Sequence, residues 1–224
     1  MGHIEMDKIQ IPELTLIAVS SIKIDETILA LQKSYKDILF GSIKLITHER
    51  PEILPKEISF EECPKLDDIN KYNHYVFIEL GKHVKTSHCL LIQHDSWVLS
   101  PKLWDDDWLQ YDYCGSPWEW KTNSYQTDYG EHVRVGNGGF SLRSKKLLDI
   151  PKKHNMYLKS EKGWKNEDGQ ICVYWRKELL DYGIKYAPVE IASKFSYENP
   201  VPENNFGKMK TFGFHKNLNT GNKR

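Results

Sequence analysis

Short apolar runs alternate along this chain with stretches in which apolar residues recur every three or four positions. Residues 14–19 (LTLIAV) are almost continuously apolar and end at Ser20-Ser21, which predicts a buried strand. Asp25 then opens a helix with Ile28, Leu31, Tyr35 and Ile38 on one face and Gly41 as its stop. Residues 43–47 (IKLIT) predict a second strand, and Pro51, Pro55 and Pro64 make residues 49–64 a surface connection. A second helix carries Ile69, Tyr72, Val76 and Leu80 on one face, and residues 88–93 (HCLLIQ) predict a third strand.

Strand, helix, strand, helix, strand is the order of an α/β fold with a mostly parallel central sheet flanked by helices. Such sheets bind ligands beyond the carboxyl ends of their strands, which singles out Ser20-Ser21, His48-Glu49 and His94-Asp95-Ser96. Beyond residue 95 the texture changes. Ser100-Pro101 has the form of a helix start, and five tryptophans fall between Trp97 and Trp120. Residues 138–143 (GGFSLR) read as a strand with one polar face, and Ser144 caps a short helix through Ile150. Asp168 begins a helix with Ile171, Tyr174, Trp175 and Leu179 inward, closed by Gly183. The second half continues the same sheet with inserted loops, so residues 14–215 are expected to form a single domain. Residues 1–13 are an N-terminal extension and residues 216–224 a basic tail.

Composition narrows the possibilities. With 224 residues, 39% of them apolar, the chain can bury a core without a disulfide or metal staple. Thirty-one basic residues balance 31 acidic ones, so no global field favours nucleic acid or an anionic membrane. No run approaches the ~18–20 apolar residues that span a bilayer, which predicts no integral membrane segment. Cys63, Cys89, Cys114 and Cys172 include no C-x-x-C pair, and reduced thiols in a cytoplasmic protein are the expectation.

Several clusters carry candidate chemistry, each beside a plainer role. Gln93-His94-Asp95 ends a buried strand, where a carboxylate can hold Mg²⁺ or Mn²⁺ against a diphosphate; an Asp there also simply caps a turn. Residues 136–141 (GNGGFS) match neither G-x-G-x-x-G nor a P-loop, and their glycines admit either a close ligand or a tight turn. Glu167-Asp168 at a helix start either complements the helix dipole or aims a carboxylate into a cleft. Trp104 and Trp108, at i and i+4, read as core, whereas Trp118 and Trp120 lie in a polar segment suited to a binding surface.

In this order the motifs resemble those of the GT-A class of nucleotide-sugar glycosyltransferases. More closely, the chain resembles a glycosyltransferase-like family known as a domain of unknown function. The resemblance spans residues 14–215 and rests on Gln93-His94-Asp95 with Trp97; Asp112-Tyr113 with Gly115, Pro117 and Trp118; and Gly136 to Ser144. It continues through Glu167-Asp168, Phe195-Ser196 with Glu198, and Phe212-Gly213-Phe214-His215. It implies metal-assisted transfer, with inversion, from a nucleotide-diphosphate sugar to a hydroxyl acceptor such as a glycan. Asp95 and His215 would hold Mn²⁺ or Mg²⁺, with Gln93 standing where the family motif has its first Asp. The implied donor site comprises Val19, Ser20, His48, Asn73, Gln93, His94 and Asp95. The implied acceptor site comprises Glu167, Trp118, Asn137, Gly138 and Gly139, and Asp168 is the implied general base, held ionised by the helix N-terminus. Two rivals stand beside this reading: a non-catalytic sugar or nucleotide-sugar binding module, and a metal-dependent phosphohydrolase using His94, Asp95 and His215.

Overall fold

The computed structural model describes residues 8–120, 125–159 and 166–216. The apolar run becomes the middle of strand β1 (Ile9–Val19), which pairs in parallel with β2 (Ile38–Thr47) on one edge and β4 (His88–Ile92) on the other. A strand with neighbours on both edges and cover on both faces needs apolar residues throughout, not in alternation. β1 begins at Ile9 rather than Leu14. Ile11 is buried, and the register shifts between Ile11 and Thr15, around Pro12, so residues 9–13 are part of the sheet.

Helix α1 (Ile24–Tyr35) ends before Ile38, which instead opens β2 opposite Ile9. Gly41 therefore stops no helix. It lies in β2, where a Cβ would overlap the Pro12 carbonyl. Lys23, not Asp25, precedes the first turn. The proline-bearing connection contains an edge strand, β3 (Ser59–Glu62), parallel to β2. Asp68 caps α2 (Ile69–Ile78) by accepting from the backbone N–H of Asn70 (2.7 Å) and Lys71 (3.1 Å).

After β4 come β5 (Ser96–Val98) and two short 3₁₀ turns, Pro101–Leu103 and Asp106–Gln110, where a helix was expected. Trp104 and Trp108 still meet edge to face, with ring centroids 5.3 Å apart, and both pack on Phe212 in the core. The sheet is completed by β6 (Tyr113–Cys114) and β7 (Phe140–Ser144), followed by α3 (Lys145–Lys153), which Ser144 caps. The helix expected from Asp168 to Gly183 is broken into α4 (Glu167–Gly169), a π-helical turn (Gln170–Tyr174) and α5 (Arg176–Asp181). Finally α6 (Val189–Phe195) leads to β8 (Ser196–Tyr197) and β9 (Gly213–His215).

The strand order is β3-β2-β1-β4-β7-β6, with a small second sheet β5-β9-β8. The first four strands are parallel, and β7 runs antiparallel to β4. That reversal brings the start of β7 beside the end of β4. All four cysteines are buried and free, and no helix among the described residues is long and apolar enough to cross a membrane.

Candidate active site

At the carboxyl edge of the sheet the Gly139 carbonyl accepts from the backbone N–H of Gln93 (3.1 Å) and from Ser96 Oγ (2.6 Å). The junction separates two compartments that share Ile69, Tyr72 and Gln93. One, of about 300 Å³, is lined by Asn73, Trp118, Asn137, Gly138, Gly139, Glu167, Asp168 and His215. The other, of about 290 Å³, is lined by Val19, Ser20, Lys23, Asp67, Asp68 and His94.

Of the expected donor residues, Val19, Ser20, Gln93 and His94 line the second compartment. Asn73 lies instead in the first, where its Oδ1 accepts from the Glu167 backbone N–H (3.4 Å). His48 lies in neither; it borders an adjoining groove that shares Ser21 and Ile22 with the second compartment. Every expected acceptor residue lines the first compartment, although two are more enclosed than their sequence setting implied. Trp118 is 4% exposed and stacks on Tyr125 with ring centroids 4.0 Å apart. Asn137 is 2% exposed at φ 69°, with Nδ2 donating to Ser116 Oγ (2.8 Å) and Oδ1 accepting from the Gly139 N–H (2.9 Å). That side chain holds the turn.

The acidic pair is held by groups from β7, from the turn before it and from its own helix. Arg143, fully buried on β7, donates from Nη2 to Glu167 Oε1 at 2.7 Å. The second oxygen, Oε2, is buried without a hydrogen-bond partner in a residue that borders the cleft. Asp168 Oδ2 accepts from the Gly138 N–H (3.0 Å) and Oδ1 from the Gly169 N–H (2.8 Å). Burial pushes the Asp168 carboxyl up to about 7, and the neighbouring Glu167 charge adds to the rise, while the two N–H groups and Arg143 oppose it. The expectation that a helix N-terminus keeps this group an ordinary ionised Asp is thus corrected: a single-turn helix has little dipole, and desolvation wins. The glycines admit these side chains directly. A Cβ at Gly138 would overlap the Glu167 carboxylate, and one at Gly139 would overlap the His215 ring.

At the junction, His215 Nε2 faces Asp95 Oδ1 at 3.6 Å, and both atoms are buried without hydrogen-bond partners. His215 Nδ1 lies 3.1 Å from Glu198 Oε1, which fixes the ring and leaves Nε2 as the free lone pair. Among the described residues no group of three or more His, Cys, Asp or Glu side chains could hold a metal ion. Two unpartnered donors, one carboxylate and one imidazole, fit a divalent cation that takes its remaining ligands from substrate and water. Gln93 Nε2 donates to Tyr72 Oη at 3.0 Å, which ties the end of β4 to α2.

Arg143, Tyr72 and Lys23 were not among the expected site residues. Arg143 was visible as the one cation on the polar face of its strand, beside Ser141; Tyr72 was indistinguishable from the apolar residues on its helix face.

The architecture is that of the GT-A glycosyltransferases. A crystal structure of the galactosyltransferase LgtC in complex with donor and acceptor sugar analogs superposes with a TM-score of 0.52 at 13% identity, covering 90% of this chain and 86% of that one. A structure of an active-site mutant of LgtC gives 0.50 at 12% identity over the same shares. At such identities the likeness establishes the fold. No curated protein is significantly similar in sequence. The family described as Protein of unknown function (DUF5672) matches residues 56–215, and the chain belongs to it.

Proposed function

We propose that this protein is a glycosyltransferase that moves a sugar, with inversion, from a nucleoside-diphosphate sugar to a hydroxyl acceptor such as a glycan. The observation that carries this reading is Asp168, a cleft carboxylate raised to about 7 beside a compartment large enough for a second ligand. A base with a pKa near the working pH combines a useful ionised fraction with real proton affinity. The shared fold with an enzyme solved with donor and acceptor sugar analogs supports the two-compartment assignment.

In this reading the donor occupies the compartment of Val19, Ser20 and His94, and the acceptor occupies the cleft of Trp118 and Asp168. Asp168 takes the acceptor hydroxyl proton as the new bond to the anomeric carbon forms and the bond to the diphosphate oxygen breaks. Glu167 Oε2, held in place by Arg143, accepts from a second acceptor hydroxyl. Asp95 and His215 would hold Mn²⁺ or Mg²⁺, which when bound supplies Lewis-acid neutralisation of the departing diphosphate.

A thermal-shift panel of nucleotide sugars with and without Mn²⁺ tests the reading, since a ligand at 100 times its Kd stabilises by about 2.7 kcal/mol. One donor is expected to raise Tm and to be turned over, at least by slow hydrolysis. Binding without any turnover would leave a binding module. Stabilisation by none of the panel, together with cleavage of simple phosphate esters, would favour a phosphohydrolase.

A further inference from the structure

We infer that Lys23 anchors the diphosphate in the donor compartment and is the residue by which the chain distinguishes a nucleoside diphosphate from a monophosphate. The inference rests on the donor assignment above and deepens it. Lys23 sits between the end of β1 and the start of α1, and its side chain reaches across to the end of β4, where Nζ lies 3.0 Å from His94 Nε2. Both residues line the donor compartment. An ammonium has no lone pair, so it donates and the imidazole nitrogen accepts. The partner of this exposed lysine is therefore an imidazole, not a carboxylate, and two of its three N–H groups remain for an anion.

Local sequence rules argue against a purely structural role. The residue before a helix is ordinarily Ser, Thr, Asp or Asn, which caps the first N–H groups. Lys23 makes no such cap, and a cation there opposes the positive end of the twelve-residue α1. A residue that breaks a local rule without structural gain is where function is expected.

The acidic residues in the same compartment are already committed. Asp67 pairs with Lys71 at 2.6 Å, and Asp68 caps α2. Lys23 thus supplies the compartment's uncommitted charge, with His94 orienting it. His94 is followed by Asp95, and its Nδ1 lies 3.7 Å from Asp95 Oδ1, at the junction with the acceptor cleft. The phosphate that reaches this pair is the one next to the sugar, which a nucleoside monophosphate lacks.

The test is titration calorimetry of the full chain with ADP, GDP, UDP and CDP and the four matching monophosphates, in buffer containing Mn²⁺. The parent chain is expected to prefer the diphosphate of at least one base. Lys23→Ser should reduce that preference by about tenfold or more, as for loss of a charge-assisted contact, while changing monophosphate affinity by less than about twofold. Lys23→Arg should keep it. Because serine is a good cap, Lys23→Ser should also melt no lower than the parent, which separates lost recognition from lost folding. An unchanged diphosphate preference in Lys23→Ser overturns this inference alone. Failure of the parent to bind any of the four diphosphates overturns the proposed function, and this inference with it.

Discussion

Replacing Asp168 by Asn keeps the size of the side chain and removes a carboxylate that titrates near neutrality. With a pKa of about 7, the ionised fraction is about 9% at pH 6, about 50% at pH 7 and about 91% at pH 8. A base acts in its unprotonated form, so transfer at saturating donor should rise about tenfold between pH 6 and pH 8. An Asp near its ordinary value of 3.8 would give a flat profile over that range. Asp168→Asn should lower transfer by ~10²–10⁴-fold, abolish the rise and leave donor affinity in place. The assay is the initial rate of nucleoside-diphosphate release across pH, with the anomeric configuration of the product read by NMR. A flat parental profile, near-parental turnover by Asp168→Asn, or a product that retains configuration would refute the reasoning. For stability the sign is opposite. The folded chain holds the Asp168 proton more tightly than the unfolded one, so this contribution is complete below the ordinary Asp range and is lost as pH climbs through about 7.

Other substitutions probe the supports of the site. Arg143→Met leaves the Glu167 carboxylate buried without its cation and should cost about 3–5 kcal/mol in urea denaturation; a loss below about 1 kcal/mol would show that Glu167 finds another partner. Glu198→Ala frees the His215 ring and should weaken Mn²⁺ binding about 10–100-fold by calorimetry, whereas unchanged affinity would remove Glu198 from that role. Gly138→Ala places a methyl against the Glu167 carboxylate and should lower stability by about 1–3 kcal/mol together with transfer; a variant as stable as its parent would mean the carboxylate can swing clear.

The parts of the fold that were legible in the sequence are those governed by local burial. Residues 14–19 and 88–93 announce strands because both their faces are covered, and α2 shows its face at steps of three and four. β3 escaped because an edge strand pairs on one side only and can be written Ser-Phe-Glu-Glu, with no apolar run. Ser100-Pro101 has the chemistry of a helix start, yet the segment makes only a 3₁₀ turn before Trp104 is drawn onto Phe212 in the core. In the site, the motif residues at positions 95, 137–139, 167–168 and 215 do converge around one junction. What local sequence cannot carry is a partner supplied from afar. Arg143 meets Glu167 from a different element, Asn73 turns to Glu167 rather than to the donor compartment, and burial rather than the helix end sets the state of Asp168. The first of these depends on β7 running antiparallel beside β4, a fact of topology.

The turn at Asn137-Gly138 bears on how the protein ages chemically. In an unstructured chain an Asn followed by Gly is prone to deamidation: the glycine nitrogen attacks the side-chain amide carbon, ammonia leaves, and the resulting succinimide hydrolyses to Asp or iso-Asp. Here the glycine N–H is held by Asp168, and both ends of the Asn137 amide are bonded, to Ser116 and to Gly139. Folding thus shields the bond, and unfolding exposes it. Denatured or heat-stressed samples are expected to accumulate a new negative charge beside Asp168, together with an inserted backbone methylene in the iso-Asp product. Such material would refold with a damaged cleft, and peptide mapping of residues 134–143 would show the lesion in stressed stock before it appears in native stock.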